Sequence, residues 1–256
     1  MIIKTSARQL SDGYLDRTPW FQYVLLSICF PMWGMASLND ILITQFKSIF
    51  TLSDFASAFV QSAFYGGYFL IAIPASRVIR RWSYKVGILI GLVCYIGGCT
   101  LFFPASHMAT YGVFLMALFA IAVGLSFLET SCNTYSSMIG PKESSTLRLN
   151  ISQTFTPVGF LSGILLGKYL IFTEGEALHR QMETLDGAGK QQLAAEMLQR
   201  TLQPYQFIIM VLVVLLVIVA ITQFPRCKPL DKEEHETKAT IGETLRYLAC
   251  NSRFRF

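Results

Sequence analysis

Charged side chains are scarce in this sequence. Asp, Glu, Lys and Arg make up 14% of its 256 residues, whereas soluble domains carry roughly 25%. Hydrophobic residues make up 53% of the chain, and the mean hydropathy is +0.47. This balance excludes a disordered chain, a fibrous repeat and an ordinary soluble domain, because so little charge cannot cover a surface that faces water. The composition predicts a polytopic membrane protein.

Patterns typical of enzymes, metal centres and nucleic-acid binding are also lacking. The chain has no HExxH, GxSxG, CxxC or P-loop pattern, so we expect no enzyme activity, no metal site and no cofactor. Four of the six cysteines lie inside apolar runs, where thiols behave as small hydrophobes, so no disulfide is expected. The basic residues lie between apolar runs rather than on one face, which argues against nucleic acid as a partner.

Apolar runs long enough to cross a bilayer recur six times. A transmembrane helix needs about 20 mostly apolar residues. The long uncharged run from Val86 to Leu128 is too long for one helix, and we predict a break at Pro104. We therefore expect an all-α integral membrane protein with six helices in one bundle over residues 20–225. The predicted helices cover about residues 20–46, 55–79, 86–103, 111–139, 149–172 and 205–224.

Positive charge is distributed unevenly among the predicted connections. Sixteen of the 21 Lys and Arg lie in the N-terminal segment 1–19, in the second and fourth connections and in the tail 226–256. Cytoplasmic loops retain Lys and Arg, so both termini are predicted to be cytoplasmic. The N-terminal segment is polar, which indicates an uncleaved anchor rather than a secretory signal. The connection 173–204 is then external, and its apolar spacing predicts an amphipathic loop.

Two carboxylates, Asp40 and Glu129, fall within the predicted helices. A charge at membrane depth is costly and is therefore a functional hypothesis by default. Each carboxylate can lower this cost by binding a proton, and no buried Lys or Arg is expected as its partner. A carboxyl group that takes up a proton on one side of the membrane and releases it on the other suits proton coupling.

Polar side chains are predicted to share one face on each of four helices, because the helical period is 3.6 residues. Four such faces suit a shared water-filled cavity, although interhelical hydrogen bonding is the alternative for any single amide, and plain packing for the aromatic residues. Amides beside an aromatic face suit an uncharged polyhydroxylated ligand. The absence of an intramembrane cation argues against an anionic one. The face residues are Asp40 on the first helix, Gln61 and Tyr65 on the second, Glu129 and Asn133 on the fourth, and Asn150 and Gln153 on the fifth.

Short sequence motifs narrow the interpretation further. Together they strongly resemble the fucose/galactose/glucose:proton symporter branch of the major facilitator superfamily, and they occur in that family's order. The motifs are LNDIL at residues 38–42, QSAFYGGYF at 61–69, IPA at 73–75, SYKVG at 83–87, LET at 128–130 with Asn133, and RLN at 148–150 with the QTF at 153–155.

The resemblance implies a fold of twelve helices in two six-helix halves, with the substrate held between them. This chain is then expected to be the N-terminal half-bundle. Its expected partners, besides the lipid bilayer, are a C-terminal six-helix half or a second copy of the chain. The implied activity is proton-coupled symport of a small neutral sugar of the fucose, galactose or glucose class across the inner membrane. The alternatives are a non-transporting half that acts as an assembly or sensing subunit, and a facilitator of another neutral polyol.

The resemblance also implies roles for individual residues. Glu129 is expected to carry the proton and to contact the sugar, and Asp40 to be its partner along the proton path. The basic turn 77–85 takes the place of a superfamily signature and is either a gate latch or plain positive-inside charge. The remaining candidates for polar contacts to the sugar are Asn39, Gln61, Tyr65, Asn133, Asn150 and Gln153.

Overall fold

A helix at the centre of the bundle, α5, contacts most of the others in a computed structural model of the chain. Helices α2, α3, α4 and α6 pack against α5, α7 packs against α2, and α8 packs against α4. The structure describes residues 7–35, 38, 54–108, 111–169, 202–227, 246, 247 and 250. The helices are α1 (Trp20–Ser27), α2 (Cys29–Gly34), α3 (Asp54–Arg81), α4 (Tyr84–Met108), α5 (Tyr111–Met138), α6 (Ser145–Gln153), α7 (Phe155–Gly167) and α8 (Gln203–Ile221), with a 3₁₀ turn at Lys142–Ser144 before α6.

Four stretches of the described residues are long and apolar enough to cross a membrane. They correspond to the third to sixth predicted helices. The second predicted helix falls on α3, which has 28 residues but also several Ser, Gly and Tyr residues along its length. The first predicted helix includes α1 and α2, and its residues 36, 37 and 39–46 lie outside the described part. Residues 173–201 of the predicted external connection also lie outside it. The four stretches are Tyr84–Ala105, Gly112–Met138, Lys142–Gly167 and Gln203–Ile221.

Proline accounts for two interruptions that the apolar pattern did not predict. One helix breaks at Ile28, between α1 and α2, and another at Thr154, between α6 and α7. Each break lies three residues before a proline, Pro31 or Pro157. Proline has no N–H to donate, and its ring clashes with the carbonyl four residues earlier, so the helix bends there.

The break predicted at Pro104 lies elsewhere in the structure. Helix α4 continues through Pro104 to Met108, and α5 begins at Tyr111. Proline is tolerated inside membrane helices when neighbouring groups satisfy the freed backbone. Pro104 lies near the end of α4, so few helical hydrogen bonds follow it.

Glycines allow two pairs of helices to approach at backbone distance. A Cβ on Gly124 of α5 would lie 2.6 Å from the Tyr95 nitrogen and 2.7 Å from the Gly91 oxygen, both on α4. A Cβ on Gly159 of α7 would lie 2.6 Å from the Pro31 Cα of α2. Small residues at such crossings are typical of membrane helices, because lipid supplies little hydrophobic driving force for their association.

The N-terminal segment is packed against the bundle. The Leu15 side chain is fully buried, and its backbone N–H donates to the Gly140 oxygen at 3.3 Å, just after α5 ends. Gln22 donates through Nε2 to the Gln223 oxygen at 3.3 Å, just after α8 ends. The beginning of the chain and the segment after α8 therefore lie at the same end of the bundle. The even number of membrane crossings between them stays a prediction.

Candidate functional site

Glu129 lies on the central helix α5, where the core gives way to a polar face. Leu125 and Leu128 are fully buried, whereas Glu129 and the Asn133 side chain one turn later are half-buried. Among the described residues, Glu129 is the acidic side chain placed furthest inside the predicted membrane helices. A carboxylate at this position is expensive unless it binds a proton or a polar partner.

A direct hydrogen bond joins the polar residues of two helices. Gln153 at the end of α6 donates through Nε2 to the Asn133 Oδ1 of α5 at 3.2 Å. Gln153 and Asn150 are exposed, and they lie three residues apart on α6, so their side chains share a face. The structure thus brings Asn133 and Gln153 into contact and places Glu129 one turn from them.

Helix α3 packs against α5 and carries two of the predicted sugar contacts. Gln61 and Tyr65 are both exposed and lie one turn apart. Tyr65 is 53% exposed, whereas Phe64 is 6% exposed and meets the Tyr65 ring edge-on at 5.3 Å between centroids. Phe64 is therefore a packing residue, whereas the Tyr65 side chain is largely exposed.

The predicted set of sugar contacts did not include Tyr68 of α3. The Tyr68 hydroxyl of α3 is buried and has no hydrogen-bond partner among the described residues. Tyr68 lies one turn beyond Phe64 and Tyr65 on the same helix, and its backbone oxygen accepts a hydrogen bond from the Ser126 Oγ of α5 at 3.0 Å. Helical spacing alone cannot show that a buried hydroxyl lacks a partner.

Asn39 and Asp40 fall outside the described residues. Their neighbour Leu38 is buried in the core, at 1% exposed. The assignment of Asp40 as the second titratable group therefore remains a prediction.

Arg148, a cation of the fourth predicted connection, is buried. Its side chain is 5% exposed, although it was counted as a loop charge. The guanidinium donates to the Pro141 oxygen at 2.8 Å, to the Ser144 Oγ at 2.7 Å and to the carbonyls of Ser136 and Ser137. Arg148 thus satisfies carbonyls that the end of α5 leaves free. Because its donors serve the backbone, Arg148 is a structural cation rather than an anion receptor.

Lys85, in the basic turn between α3 and α4, has a similar structural role. Its Nζ donates to the Ala220 and Thr222 oxygens, each at 2.8 Å, at the C-terminal end of α8. A cation at this end of a helix also interacts favourably with the helix dipole. Sequence reasoning allowed a gate latch or plain positive-inside charge for this turn, and the structure adds a helix cap.

A cavity of about 490 Å³ opens beside α3, and its lining is apolar. Phe64, Leu101, Met116 and Phe119 belong to this lining, and Glu129 does not. Such a surface suits hydrocarbon rather than a sugar. Asn133 and Gln153, which contact each other across α5 and α6, also lie outside this lining.

Comparison with known proteins identifies the family. The family model of the Major Facilitator Superfamily matches residues 24–254, which is most of the chain. The chain belongs to the Major Facilitator Superfamily. It therefore has the helical membrane-transporter fold of that superfamily, and the resemblance drawn from its sequence motifs is confirmed.

Within the superfamily, the chain is similar to sugar transporters. It is 38% identical over 242 residues to the L-fucose-proton symporter of Escherichia coli, an alignment that covers 93% of this chain and 55% of the relative. It is also 38% identical over 154 residues to a glucose/galactose transporter of Brucella abortus, covering 60% of this chain and 37% of the relative. The chain spans about half the length, or less, of these curated relatives.

A solved structure has the same arrangement of helices. The crystal structure of the E. coli fucose:proton symporter superposes with a TM-score of 0.74 at 32% sequence identity. The match covers 91% of this chain and 56% of that one.

Proposed function

We propose that this chain forms the N-terminal half of a transporter that carries a neutral sugar together with a proton. The observation that carries the proposal is the polar wall on α5 and α6, where Glu129 stands one turn from the hydrogen-bonded pair Asn133 and Gln153. Relatives at 38% identity are named as an L-fucose-proton symporter and a glucose/galactose transporter. These names support a sugar of the fucose, galactose or glucose class as substrate.

Glu129 is the proton carrier in this proposal. Protonation removes a charge that is costly at membrane depth, so the neutral acid both accepts and donates hydrogen bonds to a sugar hydroxyl. Release of the sugar and of the proton on the other side restores the carboxylate. A membrane potential of 100 mV supplies about 2.3 kcal/mol for each proton that enters. Asp40 is its proposed partner along the proton path.

The sugar contacts follow from the same surface. Amide groups at Asn133, Asn150 and Gln153 present both donors and acceptors to hydroxyl groups. Gln61 on α3 is proposed as a further polar contact, and the exposed Tyr65 ring offers an apolar surface for the C–H face of a sugar. Asn39, beside Asp40, is proposed to contribute a further polar contact.

Alternating access requires a second body, because one wall cannot close around its substrate. A C-terminal six-helix half is the proposed partner, and a second copy of this chain is the other arrangement that supplies a facing wall. The bundle is proposed to have six spans in the inner membrane with both termini cytoplasmic. The bond from Leu15 to Gly140 after α5 and the bond from Gln22 to Gln223 after α8 support the even number of spans.

The test is uptake of radiolabelled L-fucose, galactose and glucose into proteoliposomes under an imposed pH gradient. The full chain is reconstituted alone and together with a C-terminal half from the E. coli relative. We expect uptake of one of these sugars that collapses when the gradient is removed. Glu129→Gln should abolish gradient-driven accumulation, whereas Glu143→Gln should leave it unchanged, because Glu143 is exposed on the 3₁₀ turn.

The outcomes separate the proposal from its alternatives. Uptake that equilibrates without responding to the gradient would identify a facilitator. Sugar binding by the paired halves without any transport would favour a sensing or assembly subunit. An unchanged Glu129→Gln variant would contradict the assignment of the proton carrier.

A further inference from the structure

A second cavity, of about 480 Å³, is lined by basic and aromatic side chains. It opens where α3 ends, α4 begins and the chain leaves α8. This is the end of the bundle that carries the two connections and the tail predicted to be cytoplasmic. The lining consists of Arg81, Trp82, Ser83, Tyr84, Lys85, Val86, Tyr135, Phe224, Pro225, Arg226 and Cys227.

Three cations converge on this cavity from two parts of the chain. Arg81 is the last residue of α3, Lys85 lies in the first turn of α4, and Arg226 follows α8. No acidic side chain is among the described residues that line the cavity. Lys85 uses two of its three Nζ donors to hold α8, which fixes its charge at the cavity wall. Burial raises the pKa of Cys227 to about 12, so its thiol stays neutral and does not cancel the positive charge.

Aromatic rings give the cavity a rigid wall. Tyr84 stacks on Tyr135 with centroids 5.1 Å apart and planes 10° apart, and Phe224 meets Tyr135 at 5.8 Å. The Tyr135 hydroxyl donates to the Pro225 oxygen at 2.8 Å, which pins the segment that carries Arg226. Trp82 is 60% exposed at the rim. Tryptophan and tyrosine are enriched where a membrane meets water, so the rim suits the headgroup level of a bilayer.

We propose that this cavity binds a phosphate group, either the headgroup phosphate of an anionic phospholipid or inorganic phosphate. Arginine recognises phosphate through paired N–H donors, and a basic pocket at a cytoplasmic membrane boundary is the setting in which anionic headgroups bind. The two sources share the same anionic oxygens. This site is separate from the sugar wall, because none of its lining residues belongs to the predicted sugar or proton set.

The test is a binding titration of the full chain in neutral detergent, followed by native mass spectrometry. The probes are a short-chain phosphatidylglycerol, the matching phosphatidylcholine and inorganic phosphate. Arg81→Gln and Arg226→Gln should each weaken phosphatidylglycerol binding about fivefold, the effect of one cation near a headgroup. Arg77→Gln is the matched control, since it removes an equal charge from an exposed position of α3 outside the cavity lining. Thermal unfolding of each variant checks that the fold is intact.

The arms of the titration distinguish the two sources. Phosphatidylglycerol binding that inorganic phosphate does not displace would identify a lipid site, and displacement at millimolar phosphate would identify a site for the free anion. Both results support the proposal when the Arg81 and Arg226 variants are weakened. Equal losses in all three arginine variants, or equal affinity for phosphatidylcholine, would overturn it.

Discussion

The two sides of α5 differ in what they contact. One side carries Gly124 and Leu128 and packs against α4 at backbone distance, with Leu128 fully buried. The other side carries the half-buried Glu129 and Asn133, and Asn133 bonds to a side chain of α6. The same helix therefore supplies a close backbone crossing on one side and a polar surface on the other.

This difference predicts which substitutions in α5 the fold tolerates. The packing side of α5 depends on shape, because two backbones meet there and nothing can move aside. The polar side depends on chemistry, because its side chains are partly open to solvent. Substitutions on the packing side should lower stability, and substitutions on the polar side should alter transport while the fold persists.

The largest effect on stability is expected at the end of α5. Arg148→Gln removes the guanidinium that bonds to the Ser136, Ser137 and Pro141 carbonyls. Hydrogen bonds to charged groups are worth ~1.5–3 kcal/mol each, so the free energy of unfolding should fall by about 3 kcal/mol or more. Chemical denaturation in detergent measures this loss. Lys142→Gln, an exposed cation of the same connection, is the control and should change little.

The next largest effect on stability is expected on the side of α5 that packs against α4. In Gly124→Ala the added Cβ meets the Tyr95 nitrogen and the Gly91 oxygen of α4. Both obstacles are backbone, so the helices must separate, and the free energy of unfolding should fall by ~1–3 kcal/mol. Gly97→Ala on α4 is the matched control. A Cβ at that position meets nothing within 4 Å, so the higher helix propensity of alanine should leave stability equal or slightly greater. Equal losses in both variants would contradict the close crossing.

A buried network of three serine hydroxyls on α1, α5 and α6 should contribute less to stability. The Ser152 Oγ lies 3.0 Å from the Ser27 Oγ and 2.8 Å from the Ser136 Oγ, which links three helices. Ser152→Ala should lower the free energy of unfolding by about 1 kcal/mol, since Ser27 keeps a bond to the Tyr23 oxygen at 2.9 Å. Ser162→Ala is a suitable comparison, because its hydroxyl bonds only within its own helix, to the Val158 oxygen. A larger loss in Ser162→Ala would rule out the network as a source of stability.

The smallest effect on stability belongs to the polar side. Gln153→Ala removes the bond to Asn133 at an exposed position, which should cost about 0.5 kcal/mol of unfolding free energy or less. The same change should raise the KM for sugar about fivefold, because a good hydrogen bond to the ligand is worth about 1 kcal/mol. Sugar uptake kinetics measure the change. Ile151→Ala, exposed on the same helix, should leave KM unaltered.

Much of the fold followed from local sequence properties. Hydropathy located the apolar stretches that form α4, α5, α7 and α8, and helical spacing placed Asn133 and Gln153 on faces that meet. These features depend on side chains within a few turns of one helix, which a linear pattern records.

Other features depend on distant neighbours and were missed. The bends before Pro31 and Pro157 and the continuous helix through Pro104 differ although each contains a proline, because the surroundings decide whether a helix bends or continues. Arg148 looked like a loop charge, since only the folded chain shows the carbonyls that surround it. The buried Tyr68 hydroxyl likewise has no sequence signal.

The most direct test of the central claim is sugar-induced proton movement in Glu129→Gln. Glutamine has the shape of the protonated acid but cannot release a proton. With a facing half supplied, the unaltered chain should alkalinise the external medium when sugar is added to energy-depleted vesicles. The variant should give no pH change while still exchanging labelled for unlabelled sugar across the membrane. A sugar-induced pH change of normal size in Glu129→Gln would contradict the assignment of proton coupling to this residue.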